Sequence, residues 1–173
     1  MDETEQEAVE FFSPYSDKFL TCQSLVNKRF ANLIAEESKA RIEPRSYSSC
    51  LNDLMINALR EAFVDSLEVQ PLRRYAQTTF LFGGQYRMKA KKFDDRFRLS
   101  FIPTKAALDF LDFNIQLAFS GMPAEPLSIV LCYRLNPVHT EIQDVYLAWP
   151  DGKKNFLWLH KIEPALGVKS ERE

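Results

Sequence analysis

The 173-residue chain has 46% hydrophobic and 13% aromatic residues, a composition that excludes a disordered protein and is sufficient for one buried core. Its 22 Lys and Arg residues are nearly balanced by 24 Asp and Glu residues, so the formal net charge is −2. This balance excludes a general electrostatic attraction to nucleic acid or to a membrane surface, and any such contact must come from a local cluster of charges.

The N-terminal part of the chain has the periodicity of two amphipathic helices. Ser13 and Pro14 form an N-cap and a first helical residue, and the apolar residues that follow recur at steps of three and four, which predicts a helix to about Lys39. A second apolar stripe begins after the serine-rich residues 46–49 and ends before Pro71. We therefore expect two helices before the first strand.

The apolar period then changes to two. Residues 78–82 are β-branched and aromatic, and the glycines at 83–84 indicate a bulge or a tight bend. Apolar and basic residues then alternate over 86–91 and again over 96–101, on either side of a turn at 94–95. This pattern predicts a β-hairpin with one apolar face and one basic face.

The C-terminal half predicts one helix and three more strands. Apolar residues over 107–115 lie on one face of a helix that ends near Gly121. The strands at 127–135, 141–149 and 155–162 are separated by turn residues, and such short connections make them a β-meander. The last strand carries four consecutive large apolar residues, which favours a strand covered on both faces.

The predicted fold class is α+β, with N-terminal helices packed on an antiparallel sheet of about five strands, formed by the hairpin, a helix and the three-stranded meander. We expect a single domain over residues 1–173, with frayed ends at about 1–8 and 165–173. An acidic start and the lack of an apolar run of ~18 residues predict a cytoplasmic protein that does not bind membranes.

Two nuclease-like patterns are incomplete. Arg134 and His139 have the Arg-x4-His spacing of helical ribonucleases, but Pro137 places them across a turn instead of on one helix. The acids at 94–95 and Asp144 suggest a metal-dependent nuclease of the PD-(D/E)xK type, yet the acid-x-Lys strand element that such an enzyme needs does not follow them. We therefore predict no catalytic residues.

Metal, redox and phosphate-loop motifs are also incomplete. Cys22, Cys50 and Cys132 are too far apart for a paired metal knuckle and odd in number for a disulfide framework. His160 has no partner at metal-ligand spacing, and the glycines at 83–84 are not followed by a helix or by Gly-Lys-Ser/Thr. The sequence therefore predicts neither a metal site nor a cofactor.

The candidate binding surface is the basic face of the predicted hairpin. Residues that point to the same side of both strands share a face, which predicts one basic strip formed by Arg87, Lys89, Lys91, Arg96 and Arg98, with Arg73 and Arg74 as an extension. Such a strip would contact either nucleic-acid phosphates or an acidic partner protein. The alternative is a solvated sheet face, or an internal pairing with the acidic N-terminal segment.

Parts of the chain resemble small bacterial and phage proteins that are often encoded near an Xre-type repressor and an ImmA/IrrE-type metalloprotease. The strings that carry this resemblance are Arg73–Arg74, residues 84–89, residues 104–110, residues 121–123, Cys132–Tyr133 and residues 149–152. The resemblance implies a regulatory or mobile-element setting, and it brings no catalytic residues with it.

These observations favour a non-enzymatic regulatory or interaction protein that acts through a protein partner, in a phage, toxin–antitoxin or defence module. The alternative is a nucleic-acid-binding protein or a cryptic nuclease that uses the basic hairpin at 86–98. Self-association into a homo-oligomer is a further expectation, because the helices have long apolar stripes and the strands are rich in aromatic residues.

Overall fold

The computed structural model describes residues 3–37, 44–74, 77–99, 104–112, 126–151 and 155–164. The helices in these ranges are α1 (Glu3–Phe12), α2 (Ser16–Glu37), α3 (Pro44–Ala62) and α4 (Lys105–Asp112). The strands are β1 (Val69–Arg74), β2 (Gln77–Phe82), β3 (Tyr86–Lys92), β4 (Leu127–Leu135), β5 (Ile142–Pro150) and β6 (Phe156–Lys161).

The six strands form one open sheet in the order β1-β2-β3-β4-β5-β6. Neighbouring strands are antiparallel except β3 and β4, which are parallel and are joined by the segment that contains α4. A parallel pair needs such a crossover, whereas the antiparallel pairs close with short turns. The predicted α+β class, with helices packed on a mostly antiparallel sheet and a C-terminal meander, is confirmed.

The additional strand β1 makes the sheet six strands wide instead of about five. Pro71 lies within β1, whereas the sequence pattern predicts a helix that ends before this proline. Proline has no backbone N–H to donate to a neighbouring strand. The sheet tolerates it in β1 because β1 is an edge strand, where the position of the lost donor can face away from the sheet. Helix α3 correspondingly ends at Ala62, several residues earlier than the apolar stripe predicts.

The first described residues of the chain are helical. Residues 3–8, expected to be frayed, belong to α1, which buries Ala8 and Phe12 in the core. Pro14 lies in a single 3-10 turn at Ser13–Tyr15, and α2 starts directly after it. The predicted frayed end at 165–173 lies outside the described residues.

The hairpin is formed by β2 and β3, not by residues 86–91 and 96–101. Gly83 and Gly84 have φ angles of 54° and 69°, which glycine adopts without strain, and they close the turn between the two strands. The prediction of a strand over 96–101 is wrong for its described part, where Phe93↔Leu99 is an isolated bridge. The carboxylate of Asp94 accepts hydrogen bonds from the backbone N–H groups of Arg96 and Arg98 and thereby favours a turn.

One face of the sheet, here called the helix face, packs against α1, α2 and α3. Its buried side chains come from alternate strand positions: Phe80, Phe82, Tyr86, Met88, Ala90, Ile129, Leu131, Tyr133, Val145 and Leu147. Phe82 packs its ring against those of Phe12, Tyr15, Phe19 and Phe63. The main core therefore lies between the helices and this face.

The opposite face, here called the α4 face, has a smaller core. Phe110 of α4, together with Phe93 and Leu99, packs against Val130, Cys132, Tyr146 and Ala148 of the central strands. Charged side chains surround this core on the same face: Arg87, Lys89 and Lys91 on β3, and Arg134, Asp144 and Lys161 at the other end of the sheet. Because both faces are covered, β4 has a nearly continuous run of buried residues.

Strand β6 is at the second edge of the sheet and not at its centre, yet side chains on both of its faces are packed, since Phe156 and Leu159 lie against the smaller core. Trp158 is buried in the main core on the helix face, whereas Leu157 is 64% exposed. Four consecutive apolar residues therefore indicate a strand with packed side chains on both faces, but they do not place it at the centre of the sheet.

Candidate functional site

The structure divides the predicted basic strip into two parts. Arg87, Lys89 and Lys91 lie on the α4 face of β3 and alternate with side chains of the helix face. Arg96 and Arg98 lie in the turn that follows Phe93, where Arg98 forms an ion pair with Asp94 at 3.0 Å. They do not extend the row on β3, because the segment that carries them is a turn and not the second strand of a hairpin.

A polar pocket of about 460 Å³ lies where β2 and β3 diverge under α3. The β2–β3 ladder runs from Phe82↔Tyr86 to Phe80↔Met88 and ends there, so Gln77–Thr79 and Lys89–Lys92 separate. Beyond this point β3 continues along β4. The pocket is lined by Asn52, Asp53, Ile56, Asn57, Arg60, Arg73, Gln77, Thr78, Lys89, Ala90 and Lys91. It is called the α3–β3 pocket below.

The pocket brings together three of the predicted basic residues, namely Arg73, Lys89 and Lys91, and adds Arg60 from α3. One guanidinium nitrogen of Arg60 donates a hydrogen bond to the Thr78 hydroxyl at 2.9 Å, which fixes this side chain over the end of β2. Arg87 lies two residues before Lys89 and is not part of the lining, and the side chain of Arg74 lies outside the described part of the chain.

Lys89 is the most buried cation of the pocket, with 7% of the residue exposed. Its ammonium group donates a hydrogen bond to Gln77 Oε1 at 2.7 Å and lies 4.5 Å from the centre of the Phe110 ring. Burial, which has the largest effect, and repulsion from Lys91 and Arg87 together lower the pKa of Lys89 to about 8, against an opposing effect of Asp109. Positive charges are therefore crowded around this amine.

The neighbouring cations of β3, Arg87 and Lys91, are also partly buried. Burial lowers the pKa of Lys91. The Arg87 guanidinium donates to the Ser128 hydroxyl at 3.0 Å and lies 5.0 Å from the centre of the Phe110 ring. These contacts hold the side chains of Arg87 and Lys89 on the α4 face, beside Phe110.

The charge balance of the α3–β3 pocket favours an anion. Its described lining includes four basic residues and one acidic residue, Asp53; Arg73 lies on the helix face of the sheet, whereas Lys89 and Lys91 lie on the α4 face. In the described part of the chain, no group of three or more His, Cys, Asp or Glu side chains is close enough to hold a metal ion. The pocket thus has the donors for an anionic group and lacks the acidic ligands of a nuclease metal centre.

Helix α3 supplies the part of the pocket that sequence reasoning missed. Asn52, Asp53, Asn57 and Arg60 follow one another at helical spacing beside the apolar stripe of α3. Their polar stripe is a signal in the sequence, but nothing in it shows that the stripe lies over the end of β3, because that depends on how the helix crosses the sheet.

The residues of the two nuclease-like patterns are not among those that line the α3–β3 pocket. Arg134 forms an ion pair with Asp144 on the neighbouring strand, and its guanidinium lies 5.3 Å from the centre of the Phe97 ring. His139 is exposed in the turn between β4 and β5, with φ 57°. Asp94 is engaged by the backbone and side chain of Arg98.

The cysteines form no disulfide: Cys22 and Cys132 are buried, and Cys50 is partly buried. Burial raises the pKa of Cys22 to about 11 and raises that of Cys132 well above its usual range. Since the thiolate is the reactive form, these two buried thiols are inert at neutral pH.

No helix in the described ranges is long and apolar enough to cross a membrane. Comparison with known proteins gives no match, since no protein-family model, no curated protein and no solved structure is significantly similar to this chain.

Proposed function

We propose that this chain is a non-enzymatic binding protein that recognises a protein partner, and that an anionic group of the partner enters the α3–β3 pocket. The observation that supports this proposal is that four basic residues, Arg60, Arg73, Lys89 and Lys91, and a single acidic residue, Asp53, are among the residues that line one pocket. A concave polar site on rigid elements is suited to a discrete group of a ligand. A regulatory role in a phage, toxin–antitoxin or defence module is part of the same proposal.

A protein partner is favoured over nucleic acid by the distribution of charge. Binding to a nucleic-acid backbone needs positive side chains spread over an open surface, whereas here the buried Lys89 and its neighbours are gathered in one pocket. The chain carries a net charge of −2, and α1 contributes four glutamates, Glu3, Glu5, Glu7 and Glu10. The net charge therefore gives no general attraction for a polyanion, whereas the basic residues of the pocket favour a single anionic group.

Affinity purification of charge-reversal variants tests this proposal. The protein and its Arg73→Glu and Lys91→Glu variants are recovered from cells that naturally encode it, with and without nuclease treatment, and bound proteins are quantified by mass spectrometry. The matched control is Arg96→Glu, which makes the same change at an exposed residue of the predicted strip outside the pocket. Circular dichroism and thermal unfolding check that each variant is folded.

We expect a stoichiometric partner that the wild type and Arg96→Glu retain and that both pocket variants lose. Retention that disappears after nuclease treatment, together with salt-dependent binding of labelled DNA or RNA in fluorescence anisotropy, would support the nucleic-acid alternative and overturn the proposal. A partner that is lost only in Arg96→Glu, or equally in all variants, would place the contact outside the α3–β3 pocket.

A further inference from the structure

We propose that a second pocket, here called the α2–α3 pocket, binds a small apolar molecule that carries one carboxylate. The pocket has a volume of about 470 Å³ and lies between the second half of α2, the first half of α3 and the end of the sheet where β4 turns into β5. Its described lining shares no residue with that of the α3–β3 pocket, so this proposal does not depend on the function proposed above.

The lining residues of the α2–α3 pocket face a common space, because strands and helices present them towards the main core. On β3, Lys92 follows Ala90 by two residues and is paired with Tyr133, and these two neighbours lie on the helix face. Leu135, two residues after Tyr133 on β4, is buried in the same core. The helices add apolar pairs four residues apart that pack there too: Phe30 and Ile34 on α2, and Tyr47 and Leu51 on α3.

The buried part of this lining is apolar. Phe30 and Leu51 are almost fully buried, and the rings of Phe30 and Tyr47 meet edge to face, with centroids 6.0 Å apart and planes at 89°. The volume of the pocket lies within the roughly 300–1,000 Å³ of small-molecule sites, which are mostly apolar and have a few polar groups that orient the ligand. The body of the ligand is therefore a ring system or a short aliphatic chain.

The more exposed part of the lining is polar. It contains Ser48, Thr140 and two basic residues, Lys92 and His139, and no acidic residue is among the described residues of the lining. Within the described ranges, neither Lys92 nor His139 forms an ion pair. A carboxylate at this mouth would accept a charge-assisted hydrogen bond from the Lys92 ammonium group and a second bond from an imidazole N–H of His139.

The turn between β4 and β5 holds one side of the mouth in place. The backbone carbonyl of Asn136 accepts a hydrogen bond from the His139 N–H at 2.9 Å, and its side-chain oxygen accepts one from the Thr140 N–H at 2.8 Å. Val138 in the same turn lines the pocket and is 71% exposed. The mouth is thus preorganised, and it includes an apolar side chain that a bound molecule would shield from water.

The test is isothermal titration calorimetry of the full chain at neutral pH with two acids and their uncharged primary amides. The acids are 1-naphthaleneacetate and octanoate, which differ in shape, and the amides are 1-naphthaleneacetamide and octanamide, which match them in size. We expect saturable binding of at least one acid at one site per chain, and about tenfold weaker binding of its amide, because the amide lacks the charge-assisted hydrogen bond.

Three variants assign this binding to the α2–α3 pocket. Lys92→Met keeps an apolar stem without the charge, so it should weaken the acid about tenfold and change the affinity of the amide less than about twofold. Lys28→Met removes an exposed lysine of α2 that does not line the pocket, and this matched control should bind like the wild type. Ser48→Trp should abolish binding of acid and amide alike, because the indole fills the mouth from α3. Circular dichroism and thermal unfolding check that each variant is folded.

Three calorimetric results would overturn the proposal. The first is equal affinity for an acid and its amide, which would mean that the carboxylate is not recognised. The second is the same affinity of the acid for Lys92→Met and Lys28→Met. The third is no saturable binding of either acid at millimolar concentrations.

Analytical ultracentrifugation distinguishes the small ligand from a second copy of this chain. We expect Ser48→Trp to have the sedimentation coefficient of the wild type. If the wild type is instead a dimer that Ser48→Trp dissociates, the pocket is occupied by another copy of the chain and the proposal is wrong.

Discussion

The two faces of the sheet have opposite chemistry on the same strands. On β3, Tyr86, Met88 and Ala90 enter the main core on the helix face, whereas Arg87, Lys89 and Lys91 lie on the α4 face. Apolar burial stabilises a fold without a partner, but a buried ammonium group costs free energy that an apolar residue in its place would not. The helix face is therefore explained by stability alone, whereas polar and aromatic contacts within the fold accommodate the cations of the α4 face: Arg87 contacts Ser128 and Phe110, and Lys89 contacts Gln77 and Phe110.

The largest loss of stability is expected from a substitution in the core on the helix face. Phe82 is fully buried and its ring packs against four other aromatic rings. Phe82→Ala should lower the free energy of unfolding by roughly 3–5 kcal/mol, because it removes a large side chain and leaves a cavity. Urea unfolding followed by circular dichroism measures this change.

Leu157→Ala is the matched control on the exposed side of β6, and it should change the free energy of unfolding by less than about 0.5 kcal/mol. A loss below about 1.5 kcal/mol for Phe82→Ala would show that the helix face does not carry most of the stability.

The next largest loss of stability is expected from the charged residues of the α4 face on β4, β5 and β6. The Asp144 carboxylate is buried and pairs with Arg134 on β4 and with the Lys161 ammonium at 2.7 Å on β6. Asp144→Asn should lower the free energy of unfolding by about 2 kcal/mol, less than for a fully buried pair because both cations reach solvent. Glu61→Gln, in the exposed Arg29–Glu61 pair, is the control and should have a much smaller effect.

The pKa of Asp144 determines how its contribution to the free energy of unfolding depends on pH. Burial raises the pKa of Asp144, but the hydrogen bonds and charges of Lys161 and Arg134 outweigh it and lower the pKa below its ordinary value of 3.8. The stabilisation is therefore complete above pH 3.8 and is lost as the pH falls through the lower pKa of the folded state. The difference between wild type and Asp144→Asn should narrow below pH 3.8; a difference that widens there would contradict the assignment.

Much of the sheet could be predicted from the sequence, because strand signals are local. Strand β4 has the predicted bounds, since Leu127–Leu135 is a run of apolar residues that ends at Asn136 and Pro137. The alternation along β3 likewise places its basic residues on one face. Period and turn chemistry are sufficient for elements of this kind.

The errors arise where a local signal is ambiguous or where the outcome depends on distant residues. Apolar and basic residues alternate over 96–101 as they would in a strand, but hydrogen bonds to Asp94 turn the chain instead. Pro71 indicates a break, although an edge strand accepts it. The α3–β3 pocket could not be predicted as a unit, because it depends on the divergence of β2 from β3 and on the position of α3 above them.

The smallest expected change in the free energy of unfolding measures how much the Phe97 ring contributes to the stability of the α4 face. Phe97 and His139 have nearly the same left-handed backbone, with φ angles of 56° and 57°. The Phe97 ring, in a residue that is 37% exposed, packs against Phe93 and Tyr146 and lies over Arg134, whereas His139 is exposed in a turn. Substitution by glycine relieves a similar backbone strain at both positions, but only at Phe97 does it also remove packing.

His139→Gly should therefore raise the free energy of unfolding by about 0.5 kcal/mol, since the relief of strain slightly exceeds the entropy that glycine adds to the unfolded chain. Phe97→Gly should lower it by about 1–2 kcal/mol, because the loss of ring burial exceeds the same relief. Urea unfolding of both variants gives the difference, in which the backbone contribution cancels. Equal changes in the two variants would mean that the Phe97 ring adds nothing to the stability of the α4 face.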